Sequence, residues 1–304
     1  MHDAYRPLRP AQCRHLPVRG LQIHLHQWGM PQPGEPLLVM VHGFMDVGAS
    51  FQFVVDAMAR AGDGNRCVVA PDWRGFGRSS APPGTDAYWF ADYLGDLDAL
   101  LDALSPDAPV DLVGHSMGGN VVMTYAGVRP QRIRRLVNLE GFGLPDLPAA
   151  ESPERLATWL DELKTPQRLK PYASLAAVAQ RLQQNNPRLP ADKALWLAGH
   201  WSAQAPDGQW RLLADPAHKR LNPVPYRAAD AIATWRRISA PLLWVQGAGS
   251  RLDSYWGGRY SHAEFQQRLA HVASVRQVAL ADAGHMLHHD QPAALAAALL
   301  DFLG

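Results

Sequence analysis

Short unbroken apolar runs alternate along this chain with segments whose apolar residues recur at helical spacing. Residues 37–41, Leu-Leu-Val-Met-Val, are apolar without a break, and residues 66–70 and 109–113 have a similar texture. Continuous rather than alternating hydrophobicity marks strands buried on both faces, as a parallel sheet requires. Helical spacing follows them over 51–61, 89–104 and 120–126. A further strand is predicted at 133–139, and the sheet resumes with 241–245 and 275–279, separated by a helix near 262–272. A helix rich in alanine and leucine, 291–303, closes the chain. This alternation of strand and helix predicts a mainly parallel α/β sheet.

Two stretches depart from that rhythm. Residues 16–18 and 21–28, split by Arg19-Gly20, read as an opening hairpin. Leu21, Ile23 and Leu25 alternate there with Gln22, His24 and His26, which predicts a strand whose two histidines face solvent. Residues 141–238 contain helical stretches at about 153–163, 174–184 and 190–200 and no convincing core strand. A helical insertion between sheet strands is expected to cover the carboxyl edge, where open α/β sheets bind ligands.

Composition narrows the class of protein. The 304 residues are 47% hydrophobic and 19% charged, which suits a globular chain with a full core. Lysine plus arginine number 29 and aspartate plus glutamate 28, so no overall field favours nucleic acid or an anionic membrane. No run approaches the ~18 apolar residues of a membrane span, and residues 1–7 lack a signal-peptide core. Cys13 and Cys67 have no ligand-like spacing and are expected to be free thiols. A cytoplasmic location follows as an expectation; the sequence carries no sign of oligomeric state.

The chemistry centres on Gly114-His115-Ser116-Met117-Gly118-Gly119, set between a predicted strand and a predicted helix. A strand reversing into a helix so abruptly holds the serine in a strained conformation, and side chains at the flanking glycines would collide with neighbouring backbone. Ser116 needs a base, and His285, in the loop after the last strand, is the candidate. His115 points away from its neighbour's hydroxyl. His42 is read as a brace for its loop, and His288 and His289 are expected at the surface.

Four features together resemble the α/β-hydrolase superfamily. They are His42-Gly43-Phe44, Asp72 through Ser79, the Ser116 turn, and Gly284-His285, in that order. The chain is most similar to capped, esterase-like members, including serine hydrolase-like proteins. The resemblance implies a mostly parallel eight-stranded sheet flanked by helices, with a helical cap inserted after the sixth strand. Residues 1–140 and 239–304 would form the core and 141–238 the cap. It also implies that the amides of Phe44 and Met117 bind the oxyanion, and that the turn from Asp72 to Ser79 is architectural. The common Gly-x-x-Asp pattern fails here, because Ser250 stands where the acid is usual. Glu140, at the end of the preceding strand, and Asp253 are the two candidates for that acid; some family members, including a group of haloalkane dehalogenases, use the former position.

The expected activity is hydrolysis of a carboxylic ester or thioester of a small to medium hydrophobic molecule through an acyl-enzyme. No metal or organic cofactor is expected. Serine at the nucleophile position argues against epoxide hydrolase and dehalogenase chemistry, which need a carboxylate. Amide, lactone and carbon–carbon hydrolysis remain open, as does a ligand-binding protein without useful turnover. Phe142, His42 and His115 are candidates for shaping the pocket, and Trp159, Trp196, Trp201, Trp210 and Trp235 for its ceiling.

Overall fold

The structure, a computed structural model, describes residues 4–304. Its first half contains β1 (Gln12–Val18), β2 (Leu21–Trp28), β3 (Leu38–Val41), α1 (Gln52–Arg60), β4 (Val68–Pro71), α2 (Phe90–Leu104), β5 (Val110–His115), α3 (Met117–Val128) and β6 (Ile133–Leu139). An insertion follows, with α4 (Ser152–Leu163), α5 (Leu175–Asn185), α6 (Ala191–Trp201), β7 (Ser202–Gln204), β8 (Trp210–Leu212) and α7 (Ala228–Trp235). The chain ends with β9 (Leu242–Gly247), α8 (Leu252–Tyr255), α9 (His262–Leu269), β10 (Val275–Leu280), α10 (Leu287–Asp290) and α11 (Pro292–Leu303).

Eight strands form one sheet in the order β1-β2-β4-β3-β5-β6-β9-β10. The hairpin strands β1 and β2 run antiparallel, β2 is antiparallel to β4, and the remaining pairs are parallel. The strands 38–41 and 68–71 are buried along their whole length, as their unbroken apolar runs require, and 110–115 is buried too, with its Asp111 paired to Arg134. Helices α2, α3, α7 and α9 pack with Leu97, Val121, Trp235 and Phe265 on one face, while α1 and α11 cover the other with Val54, Met58, Leu295 and Leu299. The chain leaves β3 toward β4 and then crosses back to β5, so a crevice opens between the carboxyl ends of β3 and β5. No helix among the described residues is long and apolar enough to cross a membrane.

The insertion after the sixth strand is less uniformly helical than its sequence suggests. The short antiparallel pair β7–β8 lies within it, and α7, unmarked by the sequence, packs on α3. A Cβ on Gly127 of α3 would come within 2.0 Å of the Thr234 carbonyl, so the absent side chain is what lets the two helices close. Helices α5 and α6 join the rest through Val178, Leu182 and Leu197, packed on Val47 and Phe53.

His24 and His26 are not solvent-facing as alternation predicts; both are buried. The turn after β4 brings Asp72 onto them, with His24 Nδ1 2.8 Å from Asp72 Oδ2 and His26 Nε2 3.6 Å from Oδ1. Burial opposes a charge on His26, but the partnership with Asp72 and Cys13 outweighs it and raises its pKa to about 9. His288 and His289 are likewise buried rather than at the surface. Cys13 and Cys67 are free thiols.

Candidate active site

β5 ends at His115 and α3 begins at Met117, leaving Ser116 alone at the bend with φ 52° and ψ −114°. A non-glycine residue there costs roughly 1–3 kcal/mol and persists only when the surroundings enforce it. They do so by close backbone packing. A Cβ on Gly114 would sit 2.3 Å from the Gly118 carbonyl oxygen, and one on Gly118 2.5 Å from that of Val41. Gly114→Ala is therefore expected to lower unfolding free energy by about 3 kcal/mol or more, whereas Gly199→Ala, with open space around it, changes stability by less than about 1 kcal/mol. Urea denaturation of both variants checks this; equal stabilities would remove the packing argument.

The bend brings three sequence-predicted residues together. Ser116 Oγ lies 2.9 Å from His285 Nε2, and the other ring nitrogen, Nδ1, lies 3.2 Å from Glu140 Oε2. The Glu140 side chain is fully buried while that of His285 is half exposed, so the row runs from the interior to an open pocket. Glu140 follows β6 with φ 59°, and its turn is pinned by Asn138, which accepts from the Gly141 amide at 2.9 Å and donates to the Gly141 carbonyl at 3.0 Å. Both oxygens of Glu140 are engaged. Oε1 accepts the Gly247 amide at 2.6 Å, and Oε2 accepts the Ser250 hydroxyl at 2.5 Å.

Asp253, the other candidate acid, is elsewhere. It lies in α8 and accepts the His262 amide at 2.6 Å, and no contact with His285 is present among the described residues. His115 is buried, and its Nε2 lies 2.8 Å from the carbonyl oxygen of His285, holding the loop rather than the serine. Burial drives its pKa well below the ordinary value. His42 is also buried; its Nε2 accepts the Trp73 amide at 2.9 Å and its carbonyl accepts the Trp73 indole at 2.9 Å. Trp73 belongs to the turn on which Asp72 accepts the amides of Gly48 and Arg78, so this turn buttresses the loop carrying Phe44. Met117 is the first residue of α3, where an amide has no intrahelical partner and the helix dipole favours negative charge. Phe44 lies just past the carboxyl end of β3.

Ser116 and His285 open on a mainly apolar pocket of about 480 Å³ whose walls include Phe44, Tyr88, Phe142, Leu252 and Trp256. Phe142 forms part of this wall, whereas His42 and His115 are not among its lining residues. None of the five tryptophans expected in the ceiling lines this pocket. Trp235 is in the main core, Trp196 packs on Tyr5 and Phe53, and Trp201 donates to Asp46 Oδ1 at 3.1 Å. Sequence gave no sign of His218, which comes from the insertion and stacks between Phe76 and Tyr88 with ring centroids 3.7 and 3.6 Å away. Burial lowers its pKa to about 4, leaving a neutral aromatic wall. Nothing in the local Pro-Ala-His-Lys sequence marks that role.

Residues 36–292 match the alpha/beta hydrolase fold family. This chain is an α/β-hydrolase. The hydrolase is similar to the 3-hydroxybutyrate-oligomer hydrolase of Cupriavidus necator, 32% identical over 293 residues that cover 92% of each chain. It is also similar to an epoxide hydrolase of Caballeronia sordidicola, 26% identical over 95% of this chain and 92% of that one. Among solved structures, the thioesterase domain from the curacin biosynthetic pathway superposes on this α/β-hydrolase with a TM-score of 0.83 and 29% identity, over 96% of this chain and 99% of that domain.

Proposed function

We propose that this α/β-hydrolase is a serine hydrolase that cleaves a carboxylic ester or thioester of a small to medium hydrophobic substrate through an acyl-enzyme. The observation that carries the reading is the 2.9 Å approach of Ser116 Oγ to His285 Nε2 at an apolar pocket. His285 takes the serine proton as Oγ attacks the acyl carbon, then delivers it to the departing alcohol or thiol. Glu140 holds the imidazole in the tautomer whose Nε2 can accept and stabilises the imidazolium that forms. The amides of Phe44 and Met117 donate to the developing oxyanion. Water, deprotonated by His285, then attacks the acyl-serine, releasing the acid and restoring the hydroxyl. Residues 141–238 act as the cap over this pocket and 1–140 with 239–304 as the core.

Epoxide opening, the reaction named for one relative, needs a carboxylate nucleophile that forms an alkyl ester. The group facing His285 here is a hydroxyl, which supports acyl transfer instead. Similarity to the 3-hydroxybutyrate-oligomer hydrolase favours short hydroxyacyl esters as the first substrates to try.

Initial rates on p-nitrophenyl esters from acetyl to dodecanoyl, on 3-hydroxybutyrate dimer and trimer, and on an acyl thioester test the proposal. Turnover with an optimum at short to medium chain length is expected, together with fluorophosphonate labelling at Ser116. No turnover and no labelling would point instead to a ligand-binding protein on the same fold.

A further inference from the structure

A second cluster of chemistry-bearing side chains lies wholly inside the protein. Asp46 comes from the loop after β3, His288 and His289 from α10, and His115 from the end of β5; each is no more than 3% exposed. The ring centroids of His115 and His288 are 4.4 Å apart, and those of His288 and His289 4.2 Å. Of the nine buried side-chain nitrogens and oxygens that lack a hydrogen-bond partner among the described residues, five are here. They are Asp46 Oδ2, His115 Nδ1, both ring nitrogens of His288, and His289 Nε2. A buried polar atom left unpaired is costly, and a concentration of them in one place calls for a bound group that partners several of them at once.

The geometry says what kind of group that is. Asp46 spends its Oδ1 on the Val47 amide, the Ser50 hydroxyl and the Trp201 indole, leaving Oδ2 with no hydrogen bond and only the 3.5 Å approach of His288 Nε2. That spacing makes no hydrogen bond here. It is the separation expected of two ligands on one tetrahedral ion, since bonds of about 2.0–2.2 Å hold neighbouring donors roughly 3.3–3.6 Å apart. One donor atom each from Asp46, His288 and His289 lie within 4.8 Å of one another, close enough for the three to be drawn onto one ion. Two imidazoles and a carboxylate suit a borderline transition metal such as Zn²⁺ rather than Ca²⁺ or Mg²⁺, which prefer all-oxygen shells.

The other candidate, His24, His26 and Asp72, lacks this feature. Asp72 accepts from Gly48, His24 and Arg78, His26 Nδ1 lies 3.6 Å from the Cys13 sulfur, and none of the three residues contributes to the nine fully buried atoms left unpaired. Both oxygens of its carboxylate are already spent on protein donors, which sets it apart from Asp46. We propose that Asp46, His288 and His289 form a buried Zn²⁺-class site that is structural rather than catalytic. Such an ion fastens the loop carrying Phe44 to the loop carrying His285. Through the other oxygen of Asp46 it also touches Trp201 of the insertion.

The test uses untagged full-length protein, stripped by chelator, reloaded with Zn²⁺ or Co²⁺, and desalted. About one metal per chain should be retained, with the intense visible bands of tetrahedral Co²⁺, no thiolate charge-transfer band, and a Tm raised by roughly 4 °C or more. His288→Gln should abolish retention and the Tm rise, and Cys13→Ser should leave both unchanged. His289→Gln serves the same purpose if His288→Gln does not fold. The inference is overturned if wild type retains no metal, which would assign the cluster to buried water. It is equally overturned if retained metal survives His288→Gln and His289→Gln but is lost in Cys13→Ser, which would place it on the opening hairpin. None of these readouts depends on hydrolytic activity, so the site and the proposed reaction stand or fall separately.

Discussion

Ser116→Ala is expected to lower kcat/KM on the best p-nitrophenyl ester by about 10⁴-fold or more. The expectation rests on what the substitution removes and what it leaves. The single atom lost is the Oγ that faces His285 Nε2 at 2.9 Å. The pocket walls, the helix start at Met117 and the loop carrying Phe44 are untouched, so KM should change little and the folded protein should keep its Tm. Residual rate above background then comes from substrate positioning and the oxyanion amides alone. Fluorophosphonate labelling should vanish in parallel. Activity within tenfold of wild type would mean that another nucleophile does the work.

Glu140→Gln is expected to lower kcat by about 10²–10⁴-fold with a small change in KM, while Asp253→Asn stays within about threefold of wild type. The argument is one of donors and acceptors. Every group around the Glu140 carboxylate can donate: the Gly247 amide, the Ser250 hydroxyl and the His285 ring at Nδ1. Glutamine supplies one oxygen and one NH₂ in place of two oxygens. With its oxygen kept on the Gly247 amide, its NH₂ faces His285, and the ring answers by accepting at Nδ1 and carrying its proton on Nε2. A histidine protonated at Nε2 cannot take the proton of Ser116. Asp253 has no such leverage, since its carboxylate is exposed and occupied by the His262 amide. A parallel kcat comparison of the two variants decides the matter; an active Glu140→Gln beside an inactive Asp253→Asn would reassign the acid.

The sheet was legible because its central strands are short and largely apolar, and the bend at Ser116 because glycine is forced wherever backbone meets backbone. The same logic reached Glu140, since a strand end is a fixed place even when the usual acid is missing. What stayed hidden depends on contacts between residues far apart in sequence. His24 and His26 alternate with apolar residues as surface positions do, yet Asp72, well down the chain, folds over them. His288 and His289 sit on a four-residue helix too short to show a periodicity, and their burial comes from α1 and the loop of Asp46. The tryptophans of the insertion were read by composition, which reports that a residue is large and apolar but not which neighbour it covers. Helix α7 and the β7–β8 pair are set by packing and a local turn rather than by any strong run of their own.

The hydroxyl of Ser250 rests on Glu140, and a carboxylate in its place would change the charge that faces His285. Ser250 holds the place where an aspartate is usual in the family, and an aspartate there would set a second carboxylate beside Glu140. Like charges that close cannot both ionise, so one of the pair would hold a proton at neutral pH and the imidazole would face a compromised partner. A serine at 250 avoids that conflict, because its hydroxyl donates to Glu140 and leaves a single carboxylate facing His285.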